Sequence, residues 1–106
     1  MFTRRVSMHL KPHSVAEFTR TLEKEIIPLL RKQKGFQDEI TFVGSTGTEA
    51  FGISLWDTAE NAEAYNRGTY PEITKNLARM IEGTPKVETY EVANSAFNKI
   101  AVAVAA

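Results

Sequence analysis

The chain contains no cysteine. That excludes disulfide staples, thiolate metal sites and cysteine nucleophiles. It has no excess of either charge, with thirteen Lys and Arg against thirteen Asp and Glu in 106 residues. No basic block stands out, so a nucleic-acid binder driven by phosphate charge is not expected. Near-neutrality also does little to oppose self-association. Long apolar runs are missing too. The longest is the tail Ile100 to Ala106, far short of the ~20 residues a spanning helix needs. The N-terminus, MFTRRVSMHL, is basic but lacks an apolar segment of signal-peptide length. These absences point to a soluble cytoplasmic protein with no membrane partner. Histidine is scarce, with His9 and His13 far from any carboxylate pattern that would complete a ligand set, so no metal is expected.

What is present is regular alternation. Val6, Met8 and Leu10 point one way and Arg5, Ser7 and His9 the other, which makes Phe2 to Leu10 a strand. Lys11-Pro12-His13 is a turn. Ser14-Val15-Ala16-Glu17 reads as a capping box opening a helix to about Lys34. Val15, Phe18, Leu22, Ile26 and Leu29 form the helix's apolar face. Pro28 should bend the last turns, and Gly35 should stop the helix. Phe36, Ile40 and Phe42 mark a second strand, and Gly44-Ser45-Thr46-Gly47 a hairpin tip.

The third strand, Glu49 to Trp56, is fairly apolar on both faces. Phe51, Ile53 and Leu55 line one; Ala50, Gly52, Ser54 and Trp56 line the other. Both faces should therefore be covered. One helix layer covers only one, so the other needs a partner chain. Thr58 caps a second helical region broken near Gly68 and Pro71. Tyr70, Ile73, Leu77, Met80 and Ile81 form its later stripe, and Gly83-Thr84-Pro85 should end it. Lys86 to Val92 is a fourth strand.

The order is β-α-β-β-α-β, an α+β ferredoxin-like arrangement with an antiparallel sheet and helices on one face. Residues 1–92 form this domain. Residues 93–106 remain as a C-terminal arm, with Ile100, Val102 and Val104 alternating like a strand that pairs elsewhere, or simply fraying.

Three motifs carry a family likeness. They are Ile27-Pro28-Leu29-Leu30-Arg31 before Gly35-Phe36, Ser54-Leu55-Trp56-Asp57 before Glu60-Asn61-Ala62-Glu63-Ala64-Tyr65, and Lys86-Val87-Glu88-Thr89-Tyr90-Glu91-Val92. Together, over roughly Arg4 to Val92, the chain resembles the antibiotic biosynthesis monooxygenase-like domains of the dimeric α/β-barrel superfamily. The resemblance implies a homodimer whose sheets face each other in a barrel, with a cleft between sheet and helices in each subunit. It implies, for some members, oxygenation of quinols or anthrones without metal or flavin cofactor. A non-catalytic small-molecule-binding or structural dimer has the same fold. The haem-degrading branch uses a histidine on the second helix, where Ile73-Thr74-Lys75-Asn76-Leu77 supplies none; haem degradation is disfavoured.

Candidate site residues follow. Trp56 occupies the position most like the family's pocket tryptophan, and either packs in the core or walls the cleft. Tyr65 and Tyr70 flank the helix break, each able to turn a hydroxyl toward a substrate or to pack. Asn66 lies near the apolar stripe, where its amide must find a partner. It would bond a ligand oxygen or cap the break. His9 is the candidate base, since histidine ordinarily titrates near neutral pH. It could take a proton from a phenol or anthrone, or stand outward in solvent.

Overall fold

A computed structural model describes residues 1–97. Strand β1 (Phe2–Leu10) has the alternation expected of it, with Met8 and Leu10 buried and His9 exposed. It lies in the middle of a four-stranded antiparallel sheet of order β2-β3-β1-β4, with β2 at Phe36–Val43, β3 at Glu49–Trp56 and β4 at Ile81–Glu91. The non-sequential order follows from two helical crossovers over one face, so the fold is α+β and ferredoxin-like. That face joins Met8, Leu10, Ala50 and Trp56 to Phe18, Ile26, Leu30, Tyr65, Ile73 and Leu77 in one core.

The first helical segment differs from the expectation in two ways. Helix α1 (Val15–Thr21) passes through a π-helical turn (Leu22–Ile26) into α2 (Ile27–Arg31). The Ile27 N–H donates to the Leu22 carbonyl, five residues back. Pro28 follows at once. Its ring would press on the Lys24 carbonyl in a regular helix, and the wider turn relieves this. The inserted residue advances the helix phase, so Leu30 is buried where the sequence pattern favours Leu29. No capping box forms either: the Ser14 side chain makes no cap bond. Glu17 instead accepts from Arg79 Nε at 3.1 Å.

Helix α3 (Ala59–Gly68) starts as expected, with Asn61 N–H donating to Thr58 Oγ1 at 3.1 Å. The break comes at Thr69, and α4 (Tyr70–Leu77) carries Pro71 in its first turn. Gly83-Thr84-Pro85 does not end that helix. A short 3₁₀ turn (Ala78–Met80) does so, and β4 has already begun at Ile81. The three residues form a bulge instead, because β4 pairs Lys86 with Ser7 and Glu82 with His9, four residues against two. Gly83 provides the positive φ of 72° that the bulge requires.

Gly35 (φ 83°) turns the chain from α2 into β2. Its carbonyl accepts from the Asp57 N–H at 2.9 Å, and a Cβ there would strike the Asp57 carboxylate and the Asn61 side chain. Gly35→Ala should therefore cost at least about 1–2 kcal/mol for the left-handed backbone alone. Urea unfolding checks this, and an unchanged midpoint would refute it.

β4 ends at Glu91, and Val92–Phe97 form no regular element. The arm residues Ile100, Val102 and Val104 lie outside the described residues. Within them, no helix is long and apolar enough to cross a membrane.

Among the described residues, no helix covers the opposite face of the sheet. Ile40 and Phe42 on β2 are close to half exposed, as is Tyr90 on β4. Phe42 stacks on Phe51, and the Arg5 guanidinium lies 4.6 Å from the Phe51 ring centre.

Candidate functional site

The inward side chains of β1, β2 and β3 and the faces of the helices enclose a cavity of about 60 Å³ inside a cleft of about 560 Å³ that includes the solvent at its mouth. The cavity has room for a few waters. Val6, Met8, Phe18, Ile26, Leu30 and Ile73 give it an apolar lining. Six polar side chains interrupt that lining: Arg4, Glu39, Thr41, Ser54, Tyr65 and Tyr70. A second, outer recess of about 300 Å³ lies against α4 and the β4 bulge. It shares Tyr70 and Pro85 with the inner cleft, so these two residues form the wall between them.

Arg4 is the central group. Two positions before Val6, it faces inward by the same alternation, and only 3% of it is exposed. Its Nη1 donates to Asn66 Oδ1 at 2.8 Å. Its guanidinium carbon lies 4.7 Å from the Tyr70 ring centre and 5.2 Å from that of Tyr65. Aromatic faces partly replace lost water around the cation. Burial lowers its pKa from the usual arginine value, against the opposing influence of Tyr65, Tyr70 and Glu63. It remains a cation at physiological pH.

The two phenols are held protonated. Burial raises the Tyr65 pKa well above the ordinary tyrosine value, and Arg4 opposes this without cancelling it. Tyr70 is shifted the same way for the same reasons. Both therefore stand as neutral hydroxyls, able to donate to a ligand oxygen.

Glu39 supplies a carboxyl on the edge strand. It pairs across the sheet with Ser54, while Thr41 pairs with Gly52. The Thr41 hydroxyl donates to Glu39 Oε2. Burial raises the Glu39 pKa above the ordinary carboxylate range, with the Thr41 bond pulling the other way and Asp38 adding to the rise. Gly52 leaves space for the pair: a Cβ there would stand 3.0 Å from Glu39 Oε2 and 3.3 Å from Thr41 Oγ1.

The residues singled out from the sequence divide clearly. Tyr65 and Tyr70 line the cleft, their rings 6.0 Å apart. Asn66 sits beside it and holds Arg4, neither capping the break nor standing free. Trp56 is fully buried and is not a lining residue. It backs the cleft by packing against Tyr65 with ring centres 4.8 Å apart and by donating from Nε1 to Ser54 Oγ at 2.9 Å. His9 is elsewhere. It faces away from the helices, two-thirds exposed, with Nδ1 2.7 Å from Glu49 Oε1. Alternation along β1 sends it to the face opposite Arg4, so it is no base for its own protomer's cleft. Among the described residues no three His, Asp or Glu side chains cluster as a metal site.

Arg4 and Glu39 went unrecognised at the sequence level. The signal for Arg4 was its even spacing with Val6 and Met8. For Glu39 the register with Gly52 was needed.

No family model and no curated protein matches the sequence. Solved structures do. A monooxygenase from the gene ActVA-Orf6 of Streptomyces coelicolor, in complex with nanaomycin D, superposes with a TM-score of 0.76 at 14% identity, covering 91% of this chain and 90% of that one. SnoaB, a cofactor-independent oxygenase from Streptomyces nogalater, solved as a point mutant, gives 0.72 at 12% identity over 90% and 95%. A Bordetella bronchiseptica protein named for the antibiotic biosynthesis monooxygenases gives 0.74 at 14% over 88% and 97%. The chain thus has the ferredoxin-like fold of the antibiotic biosynthesis monooxygenase-like proteins. At these identities the likeness is one of fold, and function rests on the site.

Proposed function

We propose that the cleft binds a small reduced aromatic, a quinol or anthrone, and oxygenates it without a cofactor. One observation carries this reading: an apolar cavity brings together a buried cation, two protonated phenols and a half-buried carboxyl. Tyr65 and Tyr70 orient the substrate oxygens, with Trp56 fixing Tyr65 from behind and Asn66 fixing Arg4. Glu39, as carboxylate, takes the proton that His9 is too far round the sheet to take. Arg4 stabilises the resulting phenolate or enolate. That anion is the electron donor to dioxygen. For an anthrone the balance is one methylene and one O₂ giving one carbonyl and one water.

A cleft with polar groups inside it favours this reading over a purely structural dimer, which would have a filled interior. Binding without turnover is the alternative outcome. The test is oxygen uptake by the purified protein with a panel of reduced quinols and anthrones, against protein-free controls. Uptake that saturates with substrate is the expected result. Tight binding with no uptake above autoxidation across the panel would leave a binding protein.

The helix-free face of the sheet fits a homodimer, with Ile40, Phe42 and Tyr90 buried between the two sheets. Phe42→Asp should then halve the mass seen by sedimentation. A wild-type monomer at micromolar concentration would refute the dimer.

A further inference from the structure

The guanidinium of Arg4 is only part satisfied. Nη1 is bonded to Asn66. Nε and Nη2 are shut away from solvent and have no hydrogen-bond partner. These two atoms form one edge of the guanidinium plane. Their parallel N–H groups are spaced to meet the two oxygens of a carboxylate. Leaving such donors buried and unpaired is costly, and an unbalanced buried charge more so. No carboxylate of the described residues lies within 4.0 Å of the Arg4 nitrogens as a salt-bridge partner. Glu39 faces the same cleft but is engaged with Thr41. Tyr65 and Tyr70 are held as neutral phenols and bring no negative charge. Arg4 therefore has no carboxylate in direct contact among the described residues, and Nε and Nη2 have no partner.

We propose that the ligand of this cleft brings a counter-ion: it is an aromatic carboxylate, gripped through both oxygens by Nε and Nη2 of Arg4. The proposal rests on the cleft being the ligand site. A monoanion is the matching charge, because among the described residues Arg4 is the only Lys, Arg or His lining the inner cleft. A phosphate dianion would leave one charge unmatched beside Glu39. The apolar walls take the ring system.

The test uses redox-inert probes on the full chain. Binding of 1-hydroxy-2-naphthoate, its methyl ester and 1-naphthol is followed by quenching of Trp56 fluorescence and by calorimetry. In the wild type the acid should bind about 100-fold tighter than the ester, the effect of hydrogen bonds between charged groups in a buried site. In Arg4→Lys, which keeps the charge but loses the fork, the preference should fall about tenfold. In Arg4→Met, acid and ester should bind within about threefold. The wild-type comparison stands even if a variant fails to fold. Acid and ester binding alike to the wild type would overturn the carboxylate and leave the cleft reading intact. No binding of any probe at millimolar concentration would overturn both.

Discussion

Glu39→Gln should lower turnover on a quinol or anthrone by about 10²- to 10⁴-fold, the range for loss of a positioned general base. It should do so without loss of stability at neutral pH. The two halves of this expectation have one cause. Burial favours the neutral carboxyl in the folded state, so the Glu39 pKa lies above its unfolded value. Such a group binds more protons folded than unfolded between the two values. Its contribution to stability is therefore greatest at low pH, and falls as pH rises through the unfolded value to the folded one. Glutamine keeps an oxygen for Thr41 and removes the charge. The variant should thus equal or exceed the wild type in urea midpoint at pH 7, with any advantage vanishing below about pH 4, near the ordinary carboxylate pKa. Wild-type turnover should rise with pH through a value above the ordinary carboxylate range, as Glu39 becomes the active carboxylate. A Glu39→Gln protein with wild-type turnover would remove Glu39 from the chemistry. One that unfolds more readily at pH 7 would contradict the cost assigned to its charge.

Trp56→Ala should cost about 3–5 kcal/mol, as large-to-small changes of buried aromatics do. Trp56 has no exposed surface. It packs edge-on against Phe36 at 5.6 Å and against Tyr65 at 4.8 Å, arrangements that add to the burial itself. Loss of ligand binding in this variant would report damage to the fold and would not place Trp56 against a ligand. Trp56→Phe separates the two. It keeps most of the packing and removes the Nε1 bond to Ser54, and should cost about 1 kcal/mol. If Trp56 acts by holding Tyr65, this milder variant should retain ligand affinity within a few-fold. A hundredfold loss of affinity in a well-folded Trp56→Phe would show direct contact instead.

Much of the scaffold was legible because it rests on local rules. The β1 alternation, the Thr58 cap, the hairpin at Gly44–Gly47 and the break before Pro71 each depend on a few neighbouring residues. The π turn was not, since it answers a proline whose effect could equally have been a kink. The capping box failed because Ser14 has helical rather than extended backbone geometry, while Glu17 pairs with Arg79, 62 positions away. The site was harder to read because apolar residues are the ones expected to face inward. On β2 the reverse holds: Ile40 and Phe42 pair with Ile53 and Phe51 on the helix-free face, which turns Glu39 and Thr41 into the cleft. Alternation gives two faces but does not say which is covered by helices. Arg4 was within reach of the same rule, being two residues from Val6. A buried arginine is simply rare enough that residue type argued against it. His9 was the mirror case, a residue of suitable chemistry on the wrong face.

The central claim is that the helix-covered face of the sheet, around Arg4, is where a small aromatic binds. The most direct measurement is a titration of the ¹⁵N-labelled protein with 1-hydroxy-2-naphthoate, followed through the Arg4 Nε–H, the Trp56 indole N–H and the backbone amides. Saturable shifts of the Arg4 and Trp56 side-chain signals, and of amides on α3 and α4, are the predicted result. Shifts confined to residues around His9 and Phe51, with Arg4 and Trp56 unmoved at saturation, would contradict it.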